Sequence, residues 1–215
     1  MRHYASEKTV RLLVWRQTGP KKQILLVHEK DEKTHKDERG RSGKPGGWSL
    51  PGGGIKSEED EIWAEIEKLL ASHVRLSKGN GADRPLSPAE YAKYYKMIEE
   101  GFPIFSEVKV RLTAIKEGIE ETGLLVKPLR ELFREPTLGS FNNHENVFLE
   151  CEEVAGLLQM HSSETDDAWW FDEDNLPTGS LPVGLYKRHR SWIKLGLEII
   201  QQREFSESEK EVFYE

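Results

Sequence analysis

A single cysteine in 215 residues, Cys151, excludes a disulfide within the chain and fits a reducing compartment. No apolar stretch approaches the roughly 20 residues that a membrane-spanning helix needs. The opening residues MRHYASEKTVR hold no apolar signal core. Excess positive charge is missing too, since 31 Lys and Arg face 38 Asp and Glu for a net charge of −7. That balance argues against non-specific nucleic-acid or anionic-membrane binding as the main activity. Repeats and low-complexity tracts are also lacking. The expectation is a soluble, cytoplasmic protein with no membrane partner and no stable nucleic-acid partner.

What remains is a polar but globular composition, with 36% apolar and 32% charged residues. Six Trp, eight Phe and six Tyr oppose overall disorder. The length suits one domain, residues 1–215, carrying an elaboration. Residues 9–15 (TVRLLVW) and 23–28 (QILLVH) read as strands joined by a hairpin at Gly19-Pro20. Residues 29–44 hold charges of both signs and no apolar side chain, as a solvated loop does. A short strand then meets the glycine-rich turn at residues 51–54. Helical spacing predicts a helix over 58–74, a polar breaker over 75–87, and a second helix opened by Ser87, Pro88 and Glu90. A third helix runs from near Ser106 to Gly123. Strands follow at 146–152 and around Trp169-Trp170-Phe171. An amphipathic helix spans 185–202, with Trp192, Leu195 and Ile199 on one face. Without regular βαβ alternation, the pattern favours an α+β class or a three-layer sandwich.

The third helix carries the chemistry. Val108, Leu112, Ile115 and Ile119 share one face, which sends Glu117, Glu120 and Glu121 to the opposite one. Three carboxylates near a helix C-terminus repel one another and oppose the helix dipole. A solvated acidic face is one outcome; a hard divalent cation such as Mg²⁺ or Mn²⁺ is the other.

The surroundings resemble the Nudix box, G-x5-E-x7-R-E-U-x-E-E-x-G-U with U aliphatic, in two pieces. Gly53 and Glu59 match its first half, and Lys116, Glu117, Glu120, Glu121, Gly123 and Leu124 its second. The segment Gly47-Trp48-Ser49-Leu50-Pro51-Gly52-Gly53 is similar to the usual entry to the box. Residues 164–171 are similar to its late acidic stretch before an aromatic strand. Three departures stand out: Lys116 replaces the arginine, Gly118 replaces an aliphatic residue, and 56 residues separate Glu59 from Lys116. The resemblance implies a Nudix-like α/β/α sandwich with a mixed sheet, plus a helical insertion at about 60–107. It also implies a metal-dependent hydrolase that cleaves the diphosphate linkage of a nucleoside diphosphate derivative, in housecleaning or signalling-nucleotide turnover.

On that resemblance, Glu117, Glu120 and Glu121 become metal ligands, joined by the Gly52 carbonyl, with Glu59 in support. Lys116 keeps the arginine's charge without its bidentate fork. The catalytic base falls on a late loop, at Glu164 or else Asp167, with His144-Glu145 a further alternative. Apart from the resemblance, Arg39, Arg41 and Lys44 are cations of the 29–44 loop that could meet phosphate or simply be solvated, and Phe141 stands where a base-stacking aromatic occurs in the family. Trp63, Tyr91, Tyr94 and Tyr95 in the insertion could pack on the domain, on a second copy in a homodimer, or on a nucleobase. The competing function is a non-catalytic Nudix-fold module that binds or senses a nucleotide. An isomerase would need a reactive cysteine, and Cys151 falls on a strand. Gly40-Arg41-Ser42-Gly43-Lys44 fails as a P-loop because Pro45 follows. His28 and His35 lack a zinc partner pattern.

Overall fold

The computed structural model describes residues 8–30, 46–55, 58–78, 82–100, 107–136, 144–159 and 165–212. β1 (Lys8–Thr18) and β2 (Lys21–Glu29) form the expected hairpin, turning at Gly19 with a positive φ of 60°. β3 (Gly47–Ser49) pairs antiparallel with the far end of β2. After α1 (Glu59–Ser72), the stretch expected as a polar breaker instead holds a small antiparallel pair, β4 (Arg75–Ser77) and β5 (Asp83–Pro85). α2 (Pro88–Glu100) starts as the sequence predicts. The backbone N–H of Ser87 donates to Glu90 at 2.9 Å, and that of Glu90 donates back to the Ser87 hydroxyl at 3.3 Å. α3 (Val108–Thr122) ends at Gly123, which caps it in the left-handed conformation.

β6 (Leu124–Pro136), β7 (Glu145–Gly156) and β8 (Thr165–Asp172) complete the sheet, and α4 (Lys187–Val212) closes the described chain. β6 went unread in the sequence because KPLRELFREP mixes charges with apolar residues across two bulges. The strand order is β3-β2-β1-β7-β6, with β8 on β2; β1 and β7 are parallel and the other pairs antiparallel. The class is α+β with a mixed sheet, as expected.

The two faces of the sheet bury different clusters. Val10, Leu12 and Val14 of β1 meet Val110 and Ala114 of α3, together with Val126 and Val147. Leu13 of β1 turns the other way, toward Trp192, Ile193, Leu197 and Ile200 of α4. Strand alternation therefore sends helices to opposite sides. The buried face of α4 is built on those four residues; Leu195, expected on it, is 43% exposed. A third cluster packs Ile62, Ile66 and Leu70 of α1 and Tyr94 and Ile98 of α2 against Leu112, Ile115 and Ile119 of α3.

So α3 is wrapped on both flanks, and the division expected for it is corrected. Val108 is 40% exposed, whereas Glu117 and Glu121 are buried at 9% and 7%. The helix has no solvated acidic face where those two carboxylates stand. Gly118 explains its own departure from the aliphatic pattern: a Cβ there would meet Val126 Cγ2 at 2.7 Å, so β6 leaves no room for a side chain.

α1 runs parallel to α3. Glu58, at the cap of α1, accepts from Lys109 Nζ at 2.5 Å, and Glu65 lies 3.7 Å from Lys116 Nζ. Both pairs are offset by 51 residues (109 − 58 and 116 − 65), so the two helices keep step over two turns.

Candidate active site

The glycine turn after β3 is laid along β1. Val10 N donates to Gly53 O, and Leu12 N to Pro51 O, both at 2.9 Å. This places Gly52 and Gly53 directly over the C-terminal half of α3. The Gly52 N–H donates to Glu121 Oε2 at 2.8 Å. A Cβ on Gly53 would sit 2.3 Å from Glu117 Oε1, so only glycine lets that carboxylate lie against the turn. Gly52 has φ +147°, and a Cβ there would meet the Val10 carbonyl oxygen at 2.0 Å. Each glycine is required for a separate reason.

The electrostatics of this corner are unbalanced toward negative charge. Burial pushes the Glu121 carboxyl well above the usual range, and the neighbouring Glu117 charge and that of Glu29 push the same way. The Gly52 N–H and the Arg11 guanidinium oppose the rise. Arg11 Nη1 points at Gly52 O across 3.5 Å. Lys116 sits on the other flank and donates to Glu120 at 2.8 Å and to Glu117 at 3.0 Å. Its ammonium is half-buried, and the carboxylates around it raise its pKa although burial alone would lower it. Glu120 is more exposed than its two companions, and its charge also reaches His73, at the end of α1.

The structure thus brings together Gly52, Glu117, Glu120, Glu121 and Lys116. It does not bring Glu59 to them. Glu59 acts with Glu58 and Glu61 on Lys109, which precedes Glu121 by 12 residues and so by about 18 Å along α3. Counting eight residues back from Lys116, as in an uninterrupted box, reaches Val108, beside the cap residue Glu107 that binds Lys8 at 2.5 Å. The glutamate at the E position of the linear motif is the first residue of α1.

Asp167 is exposed on β8 and caps its own neighbour, accepting from Ala168 N at 2.8 Å. It lies opposite His28, whose ring meets Asp166 at 2.6 Å and the Pro182 carbonyl at 2.8 Å. His144 meets the Thr9 hydroxyl at 2.8 Å. Glu164, Phe141, Arg39, Arg41 and Lys44 lie outside the described residues. Two residues of the corner escaped the sequence reading. Arg11 is the lone charge in the apolar run TVRLLVW, and Glu29 is the acid that ends QILLVHE; a charge interrupting or ending a buried strand was the available signal.

The donor set suits a hard cation. Two buried carboxylates lie against one turn, and among the described residues a single backbone N–H, that of Gly52, donates to Glu121. Among the described residues, no group of three acidic, His or Cys side chains is arranged to hold an ion by itself. Mg²⁺ fits that situation, because it commonly takes one or two carboxylates and completes its shell with water and substrate phosphate.

The fold can be compared with solved structures. A UDP-X diphosphatase aligns over 94% of this chain and 66% of its own, at 17% identity and a TM-score of 0.52. A Nudix hydrolase from Alicyclobacillus acidocaldarius aligns over 89% of this chain and 91% of its own, at 17% identity and a TM-score of 0.50. The chain has the Nudix fold. This chain therefore spans slightly under two thirds of the length of the diphosphatase. No family model matches the sequence, and no curated protein matches it. Among the described residues, no helix is long and apolar enough to cross a membrane.

Proposed function

We propose that this protein is a divalent-metal-dependent hydrolase of nucleoside diphosphate derivatives, acting at the Gly52–Glu121 corner. The observation that carries this is the buried Glu121 carboxyl, held by one backbone N–H and repelled by Glu117. Such a group needs a proton or a cation. The Nudix fold and the likeness to a UDP-X diphosphatase support a diphosphate substrate.

In this reading Glu117, Glu121 and the Gly52 carbonyl hold the ion, with Glu120 at the rim. A bound Mg²⁺ or Mn²⁺ would neutralise charge building on phosphorus and lower the pKa of a coordinated water. The Gly52 N–H fixes which Glu121 oxygen faces the turn. Lys116 holds Glu117 and Glu120 apart from each other's charge. Hydrolysis adds the water oxygen to one phosphorus and releases the other phosphate as leaving group, so a base must take a proton. Besides Glu117, Glu29 is a carboxylate whose charge reaches Glu121; Glu164 remains the candidate from the late loop, then Asp167. On the same reading the chain is a single domain, residues 1–215, with a helical insertion at about 60–107. Glu65 of α1 touches Lys116, which lets the insertion border the site.

One observation favours a nucleotide-binding module without catalysis: Lys116 already bonds Glu117 and Glu120, so part of the negative charge is met without an ion. A panel of nucleoside diphosphate derivatives, with Mg²⁺, Mn²⁺ or chelator and products identified by mass, separates the two. We expect at least one substrate to be cut only with metal. Cleavage that persists in chelator overturns the metal assignment; a nucleotide bound and recovered intact favours the module.

A further inference from the structure

Arg11 enters the corner from β1, where residues 8–12 lie against the glycine turn. Its contacts are poor for a structural arginine. Nη1 reaches Gly52 O only at 3.5 Å, the long limit of a hydrogen bond, and the buried Nε has no partner among the described residues. A guanidinium used as a clamp normally forms a two-bonded fork on a carboxylate. Arg11 makes no recorded fork, yet it faces the carbonyl that the ion would use and stands within the field of Glu121.

We propose that Arg11 is a stand-in cation, holding the place between the Gly52 carbonyl and Glu121 until a divalent ion displaces it. This rests on the reading of Gly52, Glu117 and Glu121 as the ion's site. The geometry explains both imperfections: a contact that must be given up is long, and an unmet N–H costs less to move than a full fork. It also explains how a corner with Glu117, Glu121 and Glu29 stays folded before metal arrives.

Removing Arg11 takes a like charge away from the ion's place, so metal affinity should rise. An arginine that merely supported the fold would give weaker or unchanged binding.

The test uses the full chain, freed of metal and titrated with Mn²⁺ alone by electron paramagnetic resonance, alongside thermal melting. Arg11→Gln should bind Mn²⁺ about tenfold tighter than the parent, the low end of what one charge at ~4–6 Å does to a carboxylate's proton affinity. Its metal-free form should melt lower and gain more on adding Mn²⁺. Arg11→Lys keeps the charge and loses the reach, so it should fall between the two; it decides the matter if the glutamine variant does not fold. Unchanged or weaker Mn²⁺ binding in a folded variant overturns the proposal. A parent that binds no Mn²⁺ overturns the underlying site as well, so the two failures are told apart.

Discussion

Gly53→Ala is a sharp probe of the corner because it adds one methyl group and removes no ionisable group. Gly53 lacks the positive φ that would strain alanine, so the backbone can accept it. The three nearest atoms to the new Cβ all belong to the Glu117 carboxylate, at 2.3, 2.5 and 2.8 Å. Ordinary contact starts near 3.4 Å, so Oε1 must retreat by 1.1 Å (3.4 − 2.3). A carboxylate at the end of a flexible side chain can do that cheaply. Stability should then change little, or rise by about 0.4–1 kcal/mol from the stiffer unfolded chain. Function should not be spared, since about 1 Å of misplacement at a reacting centre can cost ~100-fold in rate. We expect an unchanged melting temperature, weaker Mn²⁺ binding, and metal-dependent hydrolysis down by about two orders of magnitude. Parent-like metal affinity and turnover would show that Glu117 does not work from the position seen against the turn.

Three further outcomes follow from the same contacts. Gly52→Ala must instead lose stability, on the order of 1–3 kcal/mol for a strained backbone, because φ is +147° and the clash at 2.0 Å is with the Val10 carbonyl, which cannot swing aside; a melt superimposing on the parent's would refute this. Glu121→Gln tests linkage. The folded carboxyl titrates above its unfolded value, so the native state holds the extra proton, and the metal-free parent should lose stability as pH rises from about 4.5 through the raised pKa. The glutamine variant should lack that slope in a series of melts, and a parent with no such slope removes the argument. Lys116→Ala should destabilise the metal-free protein by roughly 1.5–3 kcal/mol, the usual worth of hydrogen bonds to charged groups, whereas Lys116→Arg should melt like the parent; equal melts for alanine and parent would make Lys116 a bystander.

Legibility in the sequence followed periodicity and local chemistry. The hairpin, the capping of α2 by Ser87 and Glu90, and the end of α3 at Gly123 depend on residues close together, and all were readable. β6 was not, because its burial alternates irregularly across three register shifts that no spacing rule anticipates. The carboxylates were found but put on the wrong kind of surface. A helical wheel assumes one partner, and α3 has two: the sheet through Val110 and Ala114, and α1 with α2 through Leu112, Ile115 and Ile119. With both flanks covered, the remaining strip holding Glu117 and Glu121 faces the glycine turn rather than water.

The same geometry shows why the two pieces of the motif meet at the glycine turn while Glu59 stands apart from it. Hydrogen bonds from β1 pin the turn at residues 51–54, so Gly52 and Gly53 reach α3 whatever length of chain intervenes. Glu59 has no such anchor; it follows its own helix, whose step with α3 is set by Lys109 and Lys116. The offset of 51 carries Glu65, not Glu59, to the level of Lys116. α1 therefore keeps Glu59 near Lys109 and brings Glu65 beside Lys116. Closing a loop of about 50 residues adds only ~0.6 kcal/mol per doubling of length. Cross-strand hydrogen bonds and helix packing can thus hold the two parts in register, while a residue's place in the linear motif does not fix its place in the site.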